Sequence, residues 1–291
     1  MTDAAATPDW TLVIDGIDFG EGPRWHDGRL WFSDFFQQTI SSVEIHADGS
    51  GTRHVELEHH ERPSGLGWLP DGRLVFVSMI ERKVLRREPD GSVVVHAELA
   101  DAATGNCNDM VVGVDGTIYV GNFGFDFEAG DEPRPTRLSV VRPDGSVDVH
   151  DHLVFFPNGA VITPDDTTLI VGETMGAKYT AFAIDADGNL GAGSTWAEVP
   201  GMFPDGCTLD AAGGIWFSDA LGKQVVRVIE GGEITHRLAT PDNTYACMLG
   251  GDDGATLFVL TGAAADPELA RGTATGTIVS TRVEHPRAGR P

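Results

Sequence analysis

The stretch Phe203-Pro204-Asp205-Gly206-Cys207-Thr208-Leu209, followed by the turn Asp210 to Gly214 and the run Ile215-Trp216-Phe217-Ser218-Asp219, sets the reading of the whole chain. An acidic residue stands before a glycine; then come a short apolar run, a glycine turn and a second run rich in β-formers. That is the pattern of a hairpin. Variants of it recur from one end of the sequence to the other. Aligned on the turn glycine, Glu21, Ser64, Asn108, Asn158, Asp205 and Ala246 fall in one column, repeating every 40 to 50 residues or roughly so. A period of that length, carried by strand-length apolar runs without helical spacing, selects a β-propeller over a solenoid.

Working outward, the first repeat runs from Gly20-Glu21-Gly22-Pro23 through Asp27-Gly28 to Leu30-Trp31-Phe32-Ser33-Asp34. The second starts at Ser64-Gly65, the third at Asn108-Asp109 and the fourth at Asn158-Gly159. The sixth, from Ala246-Cys247, shows only three strands, whereas Thr11 to Ile17 stands alone upstream without a neighbour. Pairing the two ends closes the ring and leaves no sheet edge exposed. The expectation is an all-β, six-bladed β-propeller over residues 1–291 as a single domain, its N-terminal strand completing the C-terminal blade and residues 1–10 loose. The long aromatic and acidic excursion Asn122 to Pro135 in the third repeat marks a functional loop.

The formal charge of −24 repels nucleic acid phosphates and anionic membranes, and neither is expected as a partner. Much of the acid lies in Asp-Gly turns at Asp27, Asp48, Asp71, Asp90, Asp115, Asp144 and Asp187, where it is turn chemistry. No apolar run approaches the length of a membrane span, and the N-terminus lacks the basic and apolar regions of an export signal. Three cysteines, Cys107, Cys207 and Cys247, form no framework, which fits a cytoplasmic protein with small buried thiols near a crowded axis. A monomer or small homo-oligomer is expected.

In a propeller the first strand of each blade lines the central channel, so the column converges on one mouth. Glu21, Asn108, Asn158 and Asp205 bring two carboxylates and two amide oxygens there, hard donors suited to Ca²⁺, Mg²⁺ or Mn²⁺. Each residue taken singly is an ordinary turn or loop residue; four oxygen donors in one register are not. Two neighbouring anions in a channel also call for a cation. His150-Asp151-His152 falls where an outer strand is expected and reads as surface, and His59-His60 lies where it could reach the mouth. Phe35-Phe36, Phe123, Phe125, Phe127, Phe155-Phe156, Met202-Phe203 and Tyr245 cluster near the inferred mouth loops and suggest an apolar pocket.

With Glu21-Gly22-Pro23, Asn108-Asp109, Pro157-Asn158-Gly159 and Pro204-Asp205-Gly206 in this order, the chain resembles the SMP-30/gluconolactonase/LRE-like family of six-bladed propellers, from Glu21 to about Thr261. The resemblance implies one divalent cation, Ca²⁺ first with Mg²⁺, Mn²⁺ or Zn²⁺ as alternatives, held by Glu21, Asn158 and Asp205. It implies Asp205 as catalytic base and Asn108 as a catalytic and substrate-orienting residue. It further aligns substrate contacts with Asn106, where sugar lactonases of the family carry an Arg, and with Asp126. The function implied is divalent-metal-dependent hydrolysis of a small-molecule lactone or ester, the Arg-to-Asn change and the Phe cluster favouring a more apolar lactone. A metal-dependent aryl-ester or phosphotriester hydrolase would use the same column. A non-catalytic propeller that binds a ligand or protein would carry small or apolar residues around the mouth, against the donors at 21, 108, 158 and 205, whereas a metal-binding role without catalysis would use the same column.

Overall fold

The computed structural model describes residues 5–291. Six four-stranded antiparallel sheets make up nearly all of it. Blade one comprises Gly20–His26, Arg29–Asp34, Thr39–Ile45 and Gly51–Glu58; blade two Pro63–Trp68, Leu74–Ser78, Lys83–Arg87 and Val93–Glu98. Blade three comprises Cys107–Val112, Ile118–Asn122, Ser139–Val141 and Val147–Val149; blade four Pro157–Ile162, Thr168–Glu173, Lys178–Ala183 and Ser194–Glu198. Blade five comprises Pro204–Leu209, Ile215–Asp219, Gln224–Val228 and Ile234–Ala239. Blade six takes Thr244–Gly250, Thr256–Thr261 and Gly276–Arg282 from the C-terminal part and Thr11–Ile17 from the N-terminal part. The first strands touch one another in cyclic order, the sixth returning to the first, which makes the six-bladed propeller expected from the repeat.

The turns follow the predicted chemistry. Asp48, Asp71, Asp90, Asp115 and Asp144 each accept, through Oδ1, the backbone N–H two residues on. The glycines beside them, Gly49 to Gly145, sit at φ of 83 to 89° where a side chain would be strained. Apolar side chains facing between blades build the core. Leu30 and Phe32 of blade one meet Met248 and Phe258 of blade six, and Val161 and Tyr179 of blade four meet Phe217 and Val226 of blade five.

Two features depart from expectation. The stretch before the first strand is tied down rather than loose: Ala6 bridges Leu238 of blade five, and Trp10 Nε1 donates to Ala239 O at 2.9 Å. Residues 1–4 lie outside the described residues. The connection between the second and third strands of blade six carries a one-turn helix, Pro267–Ala270, too short for periodicity to reveal. Among the described residues no helix is long and apolar enough to cross a membrane.

Ring closure rests on Thr11–Ile17 pairing with Gly276–Arg282, from Thr11 opposite Ser280 to Ile17 opposite Gly276. Ile17 is fully buried and fills the space left by two glycines: an added Cβ at Gly20 or Gly276 would meet it at 2.9 and 2.8 Å. Ile17→Ala therefore opens a cavity at the seam and should lower the unfolding free energy by about 2 to 5 kcal/mol. Urea unfolding followed by fluorescence measures it, and a change near zero would mean that this strand does not hold the ring.

Candidate active site

The column residues reach the axis through a shared backbone device. In every blade the pairing of first and second strands shifts register at the column position, between Glu21 and Arg24, Pro63 and Leu66, Cys107 and Met110, Pro157 and Ala160, Pro204 and Cys207, and Thr244 and Ala246. Such a bulge re-aims the side chain at that point. The glycine after the column residue is required by crowding. A Cβ at Gly65 would meet Met110 N at 2.5 Å, one at Gly159 would meet Asp205 O at 2.6 Å, and one at Gly206 would meet Ala246 Cβ at 2.6 Å. Blade three carries Asp109 there, and its carboxylate lies over the gap at Gly65.

Glu21, Ser64, Asn108, Asn158 and Asp205 are all buried. Hydrogen bonds link Ser64, Asn108 and Asn158 around part of the channel. Ser64 Oγ donates to Asn108 Oδ1 (3.1 Å), Asn108 Nδ2 to Asn158 Oδ1 (3.1 Å), Asn158 Nδ2 to Thr174 Oγ1 (3.3 Å) and Thr174 Oγ1 to Pro204 O (2.6 Å), beside Asp205. Among the described residues, Glu21 Oε2 accepts only from its neighbour Gly22 N at 3.0 Å, and the buried Asp205 Oδ1 receives no hydrogen bond. Burial raises both carboxyls well above the usual range; the charge of Asp205 adds to the rise at Glu21, and that of Asp109 to the rise at Asp205. Tyr245 is pushed up to about 12 by burial and then by Asp205, Asp242 and Glu21.

No three His, Cys, Asp or Glu side chains gather as a metal-holding group among the described residues. What the channel offers is two carboxylates and amide oxygens. An unpartnered buried carboxylate oxygen and two anions that repel each other fit a hard divalent cation better than any neutral occupant.

Some residues that hold this geometry escaped the repeat analysis. Arg24, buried below the column, donates from Nη2 to Asp109 Oδ1 (2.6 Å) and Met110 O (2.6 Å), and from Nε to Leu66 O (2.9 Å). It staples the first strands of blades one, two and three. In blades one, four and five the residue closing the second strand fixes the approach to the column: Asp34 accepts from Phe19 N, Glu173 from Phe155 N and Asp219 from Phe203 N. The repeated Trp-Phe-Ser-Asp at 31–34 and 216–219 is the sequence signal for two of these.

Other expectations change. Asp126 is exposed and accepts from Ala129 N (3.0 Å) within a turn, pointing its carboxylate into that turn; Glu128 lines a cavity with Arg62, Phe127 and Arg271. Asn106 is half-buried, its carbonyl accepting from Phe123 N at 2.9 Å. Phe35, Phe36, Phe125 and Phe156 are buried against one another and their neighbours, so the aromatic surplus is mostly packing, whereas Phe127 is exposed. His59 faces Ser78 Oγ at 2.8 Å and the edge of Phe76, and His150 lies against Phe182 with Nε2 3.2 Å from Leu190 O. All three cysteines are buried and free. Burial raises their thiols, that of Cys107 to about 12.

The sequence pattern of the SMP-30/Gluconolactonase/LRE-like region matches residues 19–263, the whole span from the approach to Glu21 to the end of the second strand of blade six. The chain belongs to the SMP-30/gluconolactonase/LRE-like family. Within and around this family it is 28% identical to pentonolactonase XacC of Haloferax volcanii, over 97% of this chain and 96% of the relative. A calcium-binding regucalcin of Agrobacterium tumefaciens shares the fold with a TM-score of 0.77, at 21% identity over 99% of this chain and 97% of the other. A gluconolactonase of Xanthomonas campestris does so with a TM-score of 0.73, at 24% identity over 96% and 89%.

The raised carboxyls give a sign to the stability of this family member without metal. Their folded values lie above the unfolded ones, so their effect on stability is most favourable at pH below the unfolded carboxylate range and declines as pH rises through the folded values. Asp205→Asn removes a carboxyl whose ionised form is penalised by burial and by the Asp109 charge. It should raise the melting temperature of chelator-treated protein, by about 2 to 4 °C per kcal/mol relieved. A variant that melts lower than wild type in chelator would show that the carboxylates do not strain the fold.

Proposed function

We propose that this protein is a lactone hydrolase of the sugar-lactone class, working at the mouth end of its channel with one divalent cation, Ca²⁺ by preference. The observation that carries the reading is the buried pair Glu21 and Asp205, with an unpartnered oxygen on Asp205, beside two cross-linked amides. The near full-length similarity to a pentonolactonase supports the substrate class.

A cation held by Glu21, Asn158 and Asp205 would supply positive charge that offsets the two carboxylates and draws electron density from the lactone carbonyl. Asp205, whose buried Oδ1 has no hydrogen-bond donor among the described residues, takes the proton of the attacking water. Asn108 has a second N–H besides the one spent on Asn158, and this donates to the carbonyl oxygen as charge develops there. As the ring C–O bond breaks, the proton on Asp205 passes to the departing ring oxygen, leaving a hydroxy acid. Arg24 and the hydrogen-bond chain from Ser64 keep these groups in place while this happens.

The test is a panel of γ- and δ-lactones with protein stripped by chelator and refilled with Ca²⁺, Mg²⁺, Mn²⁺ or Zn²⁺. Turnover should vanish with the chelator and return with metal, and Asp205→Asn should lose about 10² to 10⁴ in kcat. Lactone turnover that survives exhaustive chelation would remove the cation from the reading. Full activity in the Asp205 variant would remove the base.

A further inference from the structure

Above the column the mouth is narrowed by Phe19, Phe35, Phe36, Met79 and Tyr245, and the connection between Thr261 and Gly276 inserts Ala270 among them. Asp18 tethers that connection, its carboxylate accepting Gly272 N at 2.6 Å and Ala274 N at 2.9 Å. Between this segment and blade three opens a cavity of about 790 Å³, lined chiefly by Arg62, Phe127, Glu128, Asp266, Glu268 and Arg271. Five of those six side chains are ionisable, and the sixth offers an exposed aromatic face.

The cavity lies at the same end of the channel as the column. Arg62 is two residues before Ser64. Phe127 packs on Phe156 (ring centroids 5.8 Å apart), itself two residues before Asn158. The Arg62 guanidinium sits 5.4 Å from the Phe36 ring, in contact with the cluster that holds Phe19, two residues before Glu21.

We infer that this cavity is the specificity site for the hydroxylated part of the substrate, with Arg62 and Glu128 as its hydrogen-bonding pair and Phe127 as its stacking face; the inference rests on the lactonase reading. Arg62 forks onto Glu128, Nη1 to Oε1 and Nη2 to Oε2, the second at 3.3 Å. The fork leaves further guanidinium N–H groups and carboxylate lone pairs free. A guanidinium only donates and an ionised carboxylate only accepts, whereas a hydroxyl does both. A pair of neighbouring hydroxyls can therefore donate to Glu128 and accept from Arg62 together, with the C–H face of the ring on Phe127. An alkyl substituent in the same space would strip water from these charges and return no hydrogen bond. The apolar lactone suggested by the Phe-rich sequence is disfavoured on this ground, since most of those rings face inward.

The experiment compares wild type, Arg62→Met and Glu128→Gln on a pentonolactone and on γ-butyrolactone, the same ring without hydroxyls. Each variant should lose about 10- to 100-fold in kcat/KM on the pentonolactone, mainly through KM, and stay within about twofold of wild type on butyrolactone. An unchanged selectivity ratio, or an equal loss on both substrates, overturns the inference while leaving the lactonase standing. Glu128→Gln preserves side-chain size, so it decides the matter if Arg62→Met fails to fold. Should wild type hydrolyse neither lactone, the proposed activity falls on its own. Calorimetric titration with a methyl pentoside, which carries the hydroxylated ring without a carbonyl, then tests the cavity: binding weakened about tenfold or more in Arg62→Met supports it, and equal binding overturns it.

Discussion

The closeness of six first strands around one axis governs the rest of this molecule. Backbone of one blade presses on backbone of the next so tightly that Gly65, Gly159 and Gly206 have no room for a single added carbon. Ala246, Cys207 and Cys247 follow from the same crowding, small and apolar where their neighbours leave little space. The register shift in every first strand resolves the crowding by turning one side chain per blade toward the channel. Thus the geometry that closes the ring also gathers its polar groups.

Much of this was legible in the sequence because it is local and repeated. The Asp-Gly turns, the glycine after Glu21, Asn158 and Asp205, and the unpaired strand at 11–17 recur with a period that only a ring satisfies. What was not legible depends on contacts between distant segments. Arg24 reads as one charge in an apolar strand, and nothing nearby says that it reaches Asp109 and Leu66 across two blade boundaries. Asp126 and Glu128 are two residues apart in one acidic loop, and only the path of the chain decides which faces the cavity. The phenylalanines were visible, but sequence cannot tell a ring that packs on other rings from one that faces a ligand.

The channel also shows where stability has been given up. Two carboxylates are held buried within each other's field, and one oxygen has no donor, an arrangement that costs free energy in the absence of a cation. The surrounding structure can bear it because an apolar cluster fills each boundary between blades and the Arg24 staple ties the first strands of blades one, two and three. Perturbed carboxyls in a cleft with an incomplete hydrogen-bond set are the physical signature of a working site.

The seam in blade six carries a kinetic meaning. Thr11 finds its partner only at Ser280, so the strand nearest the N-terminus must wait, solvated and with its edge bare, until almost the whole chain has been assembled. Contacts between such distant residues are slow to form because a very long loop must close before they are rewarded. Blades one to five can pair within themselves as they are synthesised, leaving the joining of first and last strands as the step that commits the protein to its native state. A nascent chain halted before that step would expose an unpaired strand to others like it, which makes ring closure the point at which chaperones would matter most.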